Sequence, residues 1–295
     1  MEQTETLKPY EISGHTRMIC LLGSPVAHSL SPAMHNYAFR KLGLDYCYLA
    51  FDVKPGRLPE ILPAFKAMHV RGMNLTMPLK NDIVKYCDSL SQASRICGAV
   101  NTVIFEEDGS ITGTTTDGTG FLRALESENI QYRDRKLTLM GTGGAGTAIL
   151  VQAALDGARE ISVFARSSSR FIDRTREVVS RLNAETACRV ALFDYSECDL
   201  KREIGGSDVL INASNVGMAP NTDACLIPDA SCFHEGLSVT DVIYNPKETK
   251  LLRMARERNL VTMNGSDMLL YQGAASFRLW TGMDMPVEEI RAKYF

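Results

Sequence analysis

The sequence predicts an α/β protein of two lobes, and three observations carry that prediction. Strand-length apolar runs alternate with helix-length patterned runs along most of the 295 residues, the order that builds a parallel sheet with helices packed against it. One such run, Lys136-Leu137-Thr138-Leu139-Met140, opens directly onto Gly141-Thr142-Gly143-Gly144-Ala145-Gly146, the join found in doubly wound dinucleotide folds. Three further strand-like runs precede that loop, so they form a separate α/β unit.

In chain order, Met18 to Gly23 reads as a strand, Pro32 to Leu42 as a helix, Tyr46 to Phe51 as a strand, Leu58 to Met68 as a helix and Gly72 to Leu75 as a third strand. This alternation predicts a parallel sheet. Val103 to Phe105 and Ile111 to Thr114 flank Glu106-Glu107-Asp108-Gly109, a hairpin signal. After the glycine loop, Thr147 to Leu155 reads as a helix that Gly157 is placed to end, and Ile161 to Phe164 as the next strand of a βαβ unit. Strands follow at Arg189 to Phe193, Val209 to Asn212, Val239 to Ile243 and Leu260 to Met263, and a helix, Leu269 to Leu279, closes the chain. That last helix is expected to pack back on the first unit, leaving a cleft between lobes of the kind that holds ligands.

Composition narrows the function classes. Hydrophobic residues make up 45% and charged residues 23%, the profile of a globular protein with a substantial core. A formal charge of −3 gives no electrostatic reason to expect nucleic acid or an anionic membrane. Apolar runs fall short of a membrane span, and Met1-Glu2-Gln3-Thr4-Glu5 lacks the basic and apolar regions of a secretory signal, so a cytoplasmic location is the expectation. The cysteines (Cys20, Cys47, Cys87, Cys97, Cys188, Cys198, Cys225, Cys232) are scattered, with no C-x-x-C pair and no His at ligand spacing. They are expected to be reduced, mostly buried thiols, with no metal site.

The glycine loop carries the first piece of chemistry. Gly141 permits a tight turn, Gly143 lets backbone approach a pyrophosphate, and Gly146 allows close helix packing; Gly144 and Ala145 belong to the same cofactor loop, and the N-terminus of the helix that follows offers free N–H groups to the phosphates. The segment after the next strand, Ala165-Arg166-Ser167-Ser168-Ser169-Arg170, contains no acid to hold a ribose 2′-hydroxyl. Arg166 and Arg170 suit a 2′-phosphate instead, with Ser167 adding a neutral donor, so NADP is expected ahead of NAD.

Polar residues also collect at strand ends before the loop. Ser24-Pro25-Val26-Ala27-His28-Ser29-Leu30-Ser31-Pro32 follows the first strand; Ser29 and Ser31 offer hydroxyls, although Ser31 also reads as a helix N-cap. His28 and His35 have no partner at telling spacing and read as structural. Asn74-Leu75-Thr76-Met77-Pro78-Leu79-Lys80 places an amide, a hydroxyl and an amine in one loop, Ala99-Val100-Asn101-Thr102 adds a second amide, and Thr116-Asp117-Gly118-Thr119-Gly120 brings a carboxylate to the join between lobes. Singly, Lys80 reads as a surface lysine and Asp117 as a helix cap; together they suggest recognition of a hydroxylated ligand.

The ordered set S-P-V-A-H-S-L-S-P, N-L-T-M-P-L-K, A-V-N-T, T-D-G-T-G, G-T-G-G-A-G, N-A-S-N-V-G-M, D-V-I-Y-N-P and Y-Q-G-A resembles the shikimate dehydrogenase family over nearly the whole chain, Met18 to Trp280. The resemblance implies a discontinuous catalytic domain, residues 1–117 completed by 266–295, and a Rossmann-type doubly wound NADP domain, residues 118–265. It implies reversible oxidation of the C3 hydroxyl of shikimate to 3-dehydroshikimate, a step of aromatic amino-acid (chorismate) biosynthesis, by a monomer or homodimer. Lys80 and Asp117 match the family's catalytic pair. Ser29, Ser31 and Tyr244 match its carboxylate-binding groups, and Asn74, Thr76, Asn101 and Gln272 match those that hold ring hydroxyls and complete the site. Two positions depart from the pattern: Thr115 stands where the family often has Asn, and Ala165-Arg166-Ser167 keeps the cation of the usual Asn-Arg-Thr without the Asn. The chain also resembles the branch that oxidises quinate as well as shikimate, some with NAD. A ligand-sensing homologue without catalysis is the reading from a different class, and retention of both Lys80 and Asp117 argues against it.

Overall fold

The computed structural model describes residues 11–295. They form two compact units: one takes the described residues through Thr116 together with Gly273–Phe295, the other is Asp117–Gln272.

In the first unit the order is β1 (Arg17–Gly23), α1 (Ser31–Leu42), β2 (Tyr46–Asp52), α2 (Leu58–Ala67), β3 (Gly72–Leu75), a 3-10 turn at Asp82–Tyr86, β4 (Ser89–Leu90), α3 (Gln92–Cys97), β5 (Thr102–Phe105) and β6 (Ile111–Thr114). The sheet runs β2-β1-β3-β5-β6-β4. β1 is parallel to β2 and β3, whereas β5 is antiparallel to both β3 and β6. The first three strands are parallel and the hairpin across Glu106 to Gly109 is present, both as expected; the antiparallel pairing of β5 with β3 joins them into one mixed sheet. α1 starts with Pro in its first turn and ends at Gly43 in the left-handed region, which the expected boundaries anticipate. Its buried face carries Met34, His35, Ala38 and Phe39, and beneath the sheet Leu22, Leu58, Met73, Leu75 and Val103 form one core.

In the second unit the order is α4 (Asp117–Ser127), β7 (Lys136–Met140), α5 (Gly144–Leu155), β8 (Glu160–Phe164), α6 (Ile172–Glu185), β9 (Arg189–Phe193), α7 (Glu197–Gly205), β10 (Val209–Asn212), a 3-10 turn at Ala230–Cys232, β11 (Ser238–Asp241), α8 (Lys250–Arg256) and β12 (Thr262–Met263). All neighbours in β12-β11-β10-β7-β8-β9 are parallel. The strand order reverses between β7 and β10, which is the doubly wound dinucleotide topology and puts its switch point at the glycine loop. β7, β8 and β10 are buried along nearly their whole length, as strands covered by helices on both faces must be.

α9 (Ser266–Thr281) begins in the second unit and ends in the first, and α10 (Val287–Tyr294) follows it. The sequence reading ended the chain with one helix; the short break at Gly282 to Pro286 hid a second one. The end of α9 does pack on the first unit's sheet, as expected: the Trp280 indole N–H donates to the Val103 carbonyl at 2.9 Å, and Arg71 Nε donates to the Trp280 carbonyl at 3.0 Å. α10 is tied to α1 by the Tyr37 hydroxyl, which donates to Glu289 at 2.8 Å.

All eight cysteines are free thiols, but only Cys20, Cys97 and Cys188 are buried and Cys198 is exposed, so burial is less general than the sequence suggests. Among the described residues no helix is long and apolar enough to cross a membrane, and no group of three or more His, Cys, Asp or Glu could hold a metal ion.

Candidate active site

The first unit gathers its candidate residues at one end of its sheet. β1 and β3 run parallel, so the segments after them, Ser24 to Leu30 and Thr76 to Lys80, leave the same end of the sheet. β5 is antiparallel to β3, with Thr102 opposite Asn74, and β6 returns Thr114 opposite Thr102. Backbone bonds lock these segments together: Ser24 N–H donates to the Met77 carbonyl at 2.9 Å, Val100 N–H to the Lys80 carbonyl at 2.8 Å, and Asn101 N–H to the Thr114 carbonyl at 3.1 Å. Ser29, Thr76 and Lys80 are half-buried, whereas Ser31, Asn74 and Asn101 are buried. Ser31 is the first helical residue rather than the cap; Leu30 occupies the cap position, and the Ser29 hydroxyl accepts the Ser31 N–H at 3.2 Å.

Behind that end lies a network absent from the sequence reading. The Tyr48 hydroxyl donates to Asn74 Oδ1 at 2.7 Å and also meets the Ser31 side chain. Burial pushes the phenol well above its ordinary pKa, so it stays a donor. Asn74 Nδ2 donates to the Asn101 carbonyl and to Thr102 Oγ1, each at 3.0 Å, and lies 3.2 Å from Ser276 Oγ on α9. Asn101 Oδ1 accepts the Thr116 N–H at 2.8 Å and the Thr102 hydroxyl at 2.8 Å, while its Nδ2 donates to Thr116 Oγ1 at 3.0 Å. Ser276 Oγ is 2.8 Å from Thr102 Oγ1 and 3.1 Å from Thr116 Oγ1. Both amides expected to meet ligand hydroxyls are thus held from behind, and Asn101 fixes the backbone one residue before Asp117. In the sequence Tyr48 and Ser276 each sit in an otherwise apolar pattern and read as core.

His35 is structural, as expected, but unusually placed. It is buried, stacked on Tyr48 with ring centroids 4.4 Å apart, and neither ring nitrogen has a hydrogen-bond partner. Burial lowers its pKa to about 3, so the imidazole is neutral. His28 is exposed.

The second unit places the glycine loop, the Arg166 to Arg170 segment and Tyr244 after the carboxyl ends of β7, β8 and β11, and carries Asp117 and Gln272 on helices. Gly141 ends β7 with φ +100°, a conformation that favours glycine, and a Cβ on Gly146 would press into the Gly141 carbonyl oxygen. Gly143 is the extended cap residue of α5, which starts at Gly144, three residues earlier than the sequence suggests, because the loop glycines themselves form the first turn. A Cβ on Gly143 or Gly144 would meet only open space. The tight turn, the close helix approach and the open cradle at a helix N-terminus together fit a pyrophosphate.

Arg166 and Arg170 are exposed in the segment after β8, and the Arg170 guanidinium lies 4.6 Å from the centroid of the Phe171 ring. The absence of acid from this segment does not mean absence of acid from its surroundings: Asp194, at the end of β9, accepts the Ser167 N–H at 3.3 Å. Asp117 opens α4 and is buried. Gln272 lies on α9, with Nε2 donating to the Leu269 carbonyl at 3.1 Å. Tyr244 follows β11 and is 51% exposed. The loops beside it are shaped by buried Asp241, which accepts from Asn212 Nδ2 at 3.0 Å, Thr249 Oγ1 at 2.9 Å and the Ile243 N–H at 2.9 Å. That last bond turns the chain at Asp241, two residues before the expected end of the strand.

Fold and cradle together define a dinucleotide-binding α/β protein with a second α/β unit. The profile of the shikimate dehydrogenase substrate binding domain matches residues 21–103, and that of the shikimate 5′-dehydrogenase C-terminal domain matches residues 265–293. The chain is 46% identical over 285 residues to a shikimate dehydrogenase (NADP(+)) of Listeria monocytogenes, covering 96% of this chain and 97% of the relative. It is 44% identical over 287 residues to the Streptococcus uberis enzyme of the same name, covering 96% and 97%. A crystal structure of shikimate 5-dehydrogenase from Listeria monocytogenes in complex with shikimate and NAD superposes with a TM-score of 0.93 at 46% identity, over 96% of this chain and 98% of that one. The chain belongs to the shikimate dehydrogenase family.

Proposed function

We propose that the protein is an NADP-dependent shikimate dehydrogenase that interconverts shikimate and 3-dehydroshikimate. One observation carries the reading: the likeness to enzymes of that name runs through both units, nearly end to end. In this reading the first unit binds the substrate and the second the dinucleotide, at the cradle of Gly141, Gly143, Gly144, Ala145 and Gly146, with Arg166, Ser167 and Arg170 toward the 2′-phosphate. NADP, when bound, supplies the hydride acceptor.

Oxidising a carbinol removes a hydride from carbon and a proton from oxygen, so the protein must accept that proton beside the reacting hydroxyl. Lys80 Nζ is assigned this role, and the Asp117 carboxylate orients it and balances its charge. Ser29, Ser31 and Tyr244 bind the substrate carboxylate, remote from the reacting carbon. Asn74, Thr76, Asn101 and Gln272 hold the ring, fixing the angle of the carbinol; such positioning is worth several orders of magnitude in rate. The protein acts in the cytoplasm, as a monomer or homodimer.

The test is a matrix of NADP or NAD with shikimate or quinate, followed by absorbance of the reduced nicotinamide. Turnover highest with NADP and shikimate is expected. Quinate turned over as well as shikimate would move the chain to the quinate/shikimate branch, and no turnover in any cell would leave ligand binding alone.

A further inference from the structure

The segments that leave β8 and β9 lie side by side. Ala165 N–H donates to the Phe193 carbonyl at 3.1 Å, and two residues on Ser167 N–H donates to Asp194 Oδ1 at 3.3 Å. Asp194 also takes the Ser167 hydroxyl and, at 2.8 Å, the Tyr195 N–H. These bonds hold its carboxyl below the usual range, the Ser167 hydroxyl contributing most, so it is charged at neutral pH. Tyr195 in turn feels the charge of Arg166. The end of β8 is therefore flanked by charges of both signs.

A ribose 2′-phosphate and a ribose 2′-hydroxyl respond oppositely to that arrangement. The phosphate is a dianionic acceptor: it gains from Arg166, is repelled by Asp194, and must compete with Asp194 for the Ser167 donors. The hydroxyl is a donor, and a carboxylate at the end of a strand is the group that holds it in NAD-using folds. Here the acid comes from the third strand of the unit rather than the second, 27 residues from Ser167 in sequence. We propose that Asp194 is a specificity-determining residue that admits NAD beside NADP, accepting a hydrogen bond from the free 2′-hydroxyl while Arg166 recognises the 2′-phosphate. The inference rests on the reading of this edge as the adenosine-ribose site.

The experiment measures specificity constants and dissociation constants for both dinucleotides with wild type, Asp194→Asn, Asp194→Ser and Arg166→Ala, at low and moderate ionic strength. Taking the ratio of NADP to NAD cancels any general loss of folded enzyme. Both Asp194 variants are expected to move the ratio toward NADP on the order of tenfold at low salt and less at higher salt, as one screened charge and one charge-assisted hydrogen bond are lost. Arg166→Ala is expected to move it toward NAD. If Arg166→Ala shifts the ratio and the Asp194 variants do not, or shift it toward NAD, the role of Asp194 is overturned and the site stands. If none of the variants shifts it, the site assignment falls as well.

Discussion

Asp241 makes a sharp prediction because it is a buried carboxylate with donors on three sides and no cation among its bonded partners. Burial raises its pKa from the ordinary 3.8 to about 6, against the opposing pull of Asn212, the Ile243 N–H and Thr249. Between those two pH values the folded unit holds a proton that the unfolded chain has released, so stability falls as pH rises from about 4 to about 6. Each pH unit of that window is worth about 1.4 kcal/mol, so keeping Asp241 charged at neutral pH costs the second unit about 3 kcal/mol. Asp241→Asn carries no titrating proton; Thr249 can reverse its hydroxyl to accept from the new amide, while the donor it turns toward Asn212 Nδ2 adds a fixed cost that does not vary with pH. Relative to wild type, the variant should therefore gain about 3 kcal/mol between pH 4 and pH 7, whatever its fixed cost. Urea unfolding at a series of pH values, followed by hydrogen-exchange mass spectrometry of β10 and β11 peptides, measures that difference. A difference independent of pH, or one of opposite sign, would refute the reasoning.

Other outcomes follow from the same structure. His35 has its folded pKa lowered to about 3 by burial, so the unfolded chain takes the proton first and the first unit loses stability as pH falls from about 6.5 toward 3; His35→Leu should abolish that loss, read on β1 and β3 peptides, and an unchanged pH profile would count against it. Lys80→Ala should lower turnover by about 10²–10⁴-fold with dinucleotide affinity nearly intact, and near wild-type turnover would remove Lys80 from the mechanism. Gly146→Ala should weaken dinucleotide binding on the order of tenfold or more, since the added Cβ meets backbone that cannot swing away; equal affinity in a fluorescence titration would show that the loop tolerates it.

What the sequence revealed and what it hid divide along the range of the interactions. The glycine loop was legible because its turn and cradle are set by six consecutive residues, although those glycines hid the first turn of α5, which starts at Gly144 rather than Thr147. The positions of Asn74, within β3, of Asn101, just before β5, and of Arg166, just past β8, could be placed from sequence because each polar residue sits beside a short apolar run. α4 was not, since Gly118 and Gly120 depress helix propensity. The structure gives the reason they are tolerated, for a Cβ on Gly118 would strike the Ala148 carbonyl and one on Gly120 the Gln272 backbone. Asp194 was hidden by distance in the chain. The hairpin of β5 and β6 was legible from its turn, but its antiparallel pairing with β3, which makes one mixed sheet, was hidden because periodicity reports which residues form strands and says nothing of which strands become neighbours.

The polar network of the first unit constrains what its candidate residues Asn74 and Asn101 can do. An amide that already spends Oδ1 and Nδ2 on protein partners cannot be a freely turning ligand group; any bond it adds must use a remaining lone pair or displace a partner. Asn101 meets Thr102 and Thr116 through Oδ1 and Thr116 through Nδ2, so its orientation is set before a ligand arrives, and that of Asn74 is set by Tyr48 on one side and Thr102 on the other. Such preorganisation reduces the ordering cost at the moment of binding. It also ties α9 to the strand ends, because Ser276 touches Asn74, Thr102 and Thr116 at once. The return of the chain to its first unit is thus more than a packing convenience: the last long helix supplies the hydroxyl that joins the end of the sheet to the residue preceding Asp117.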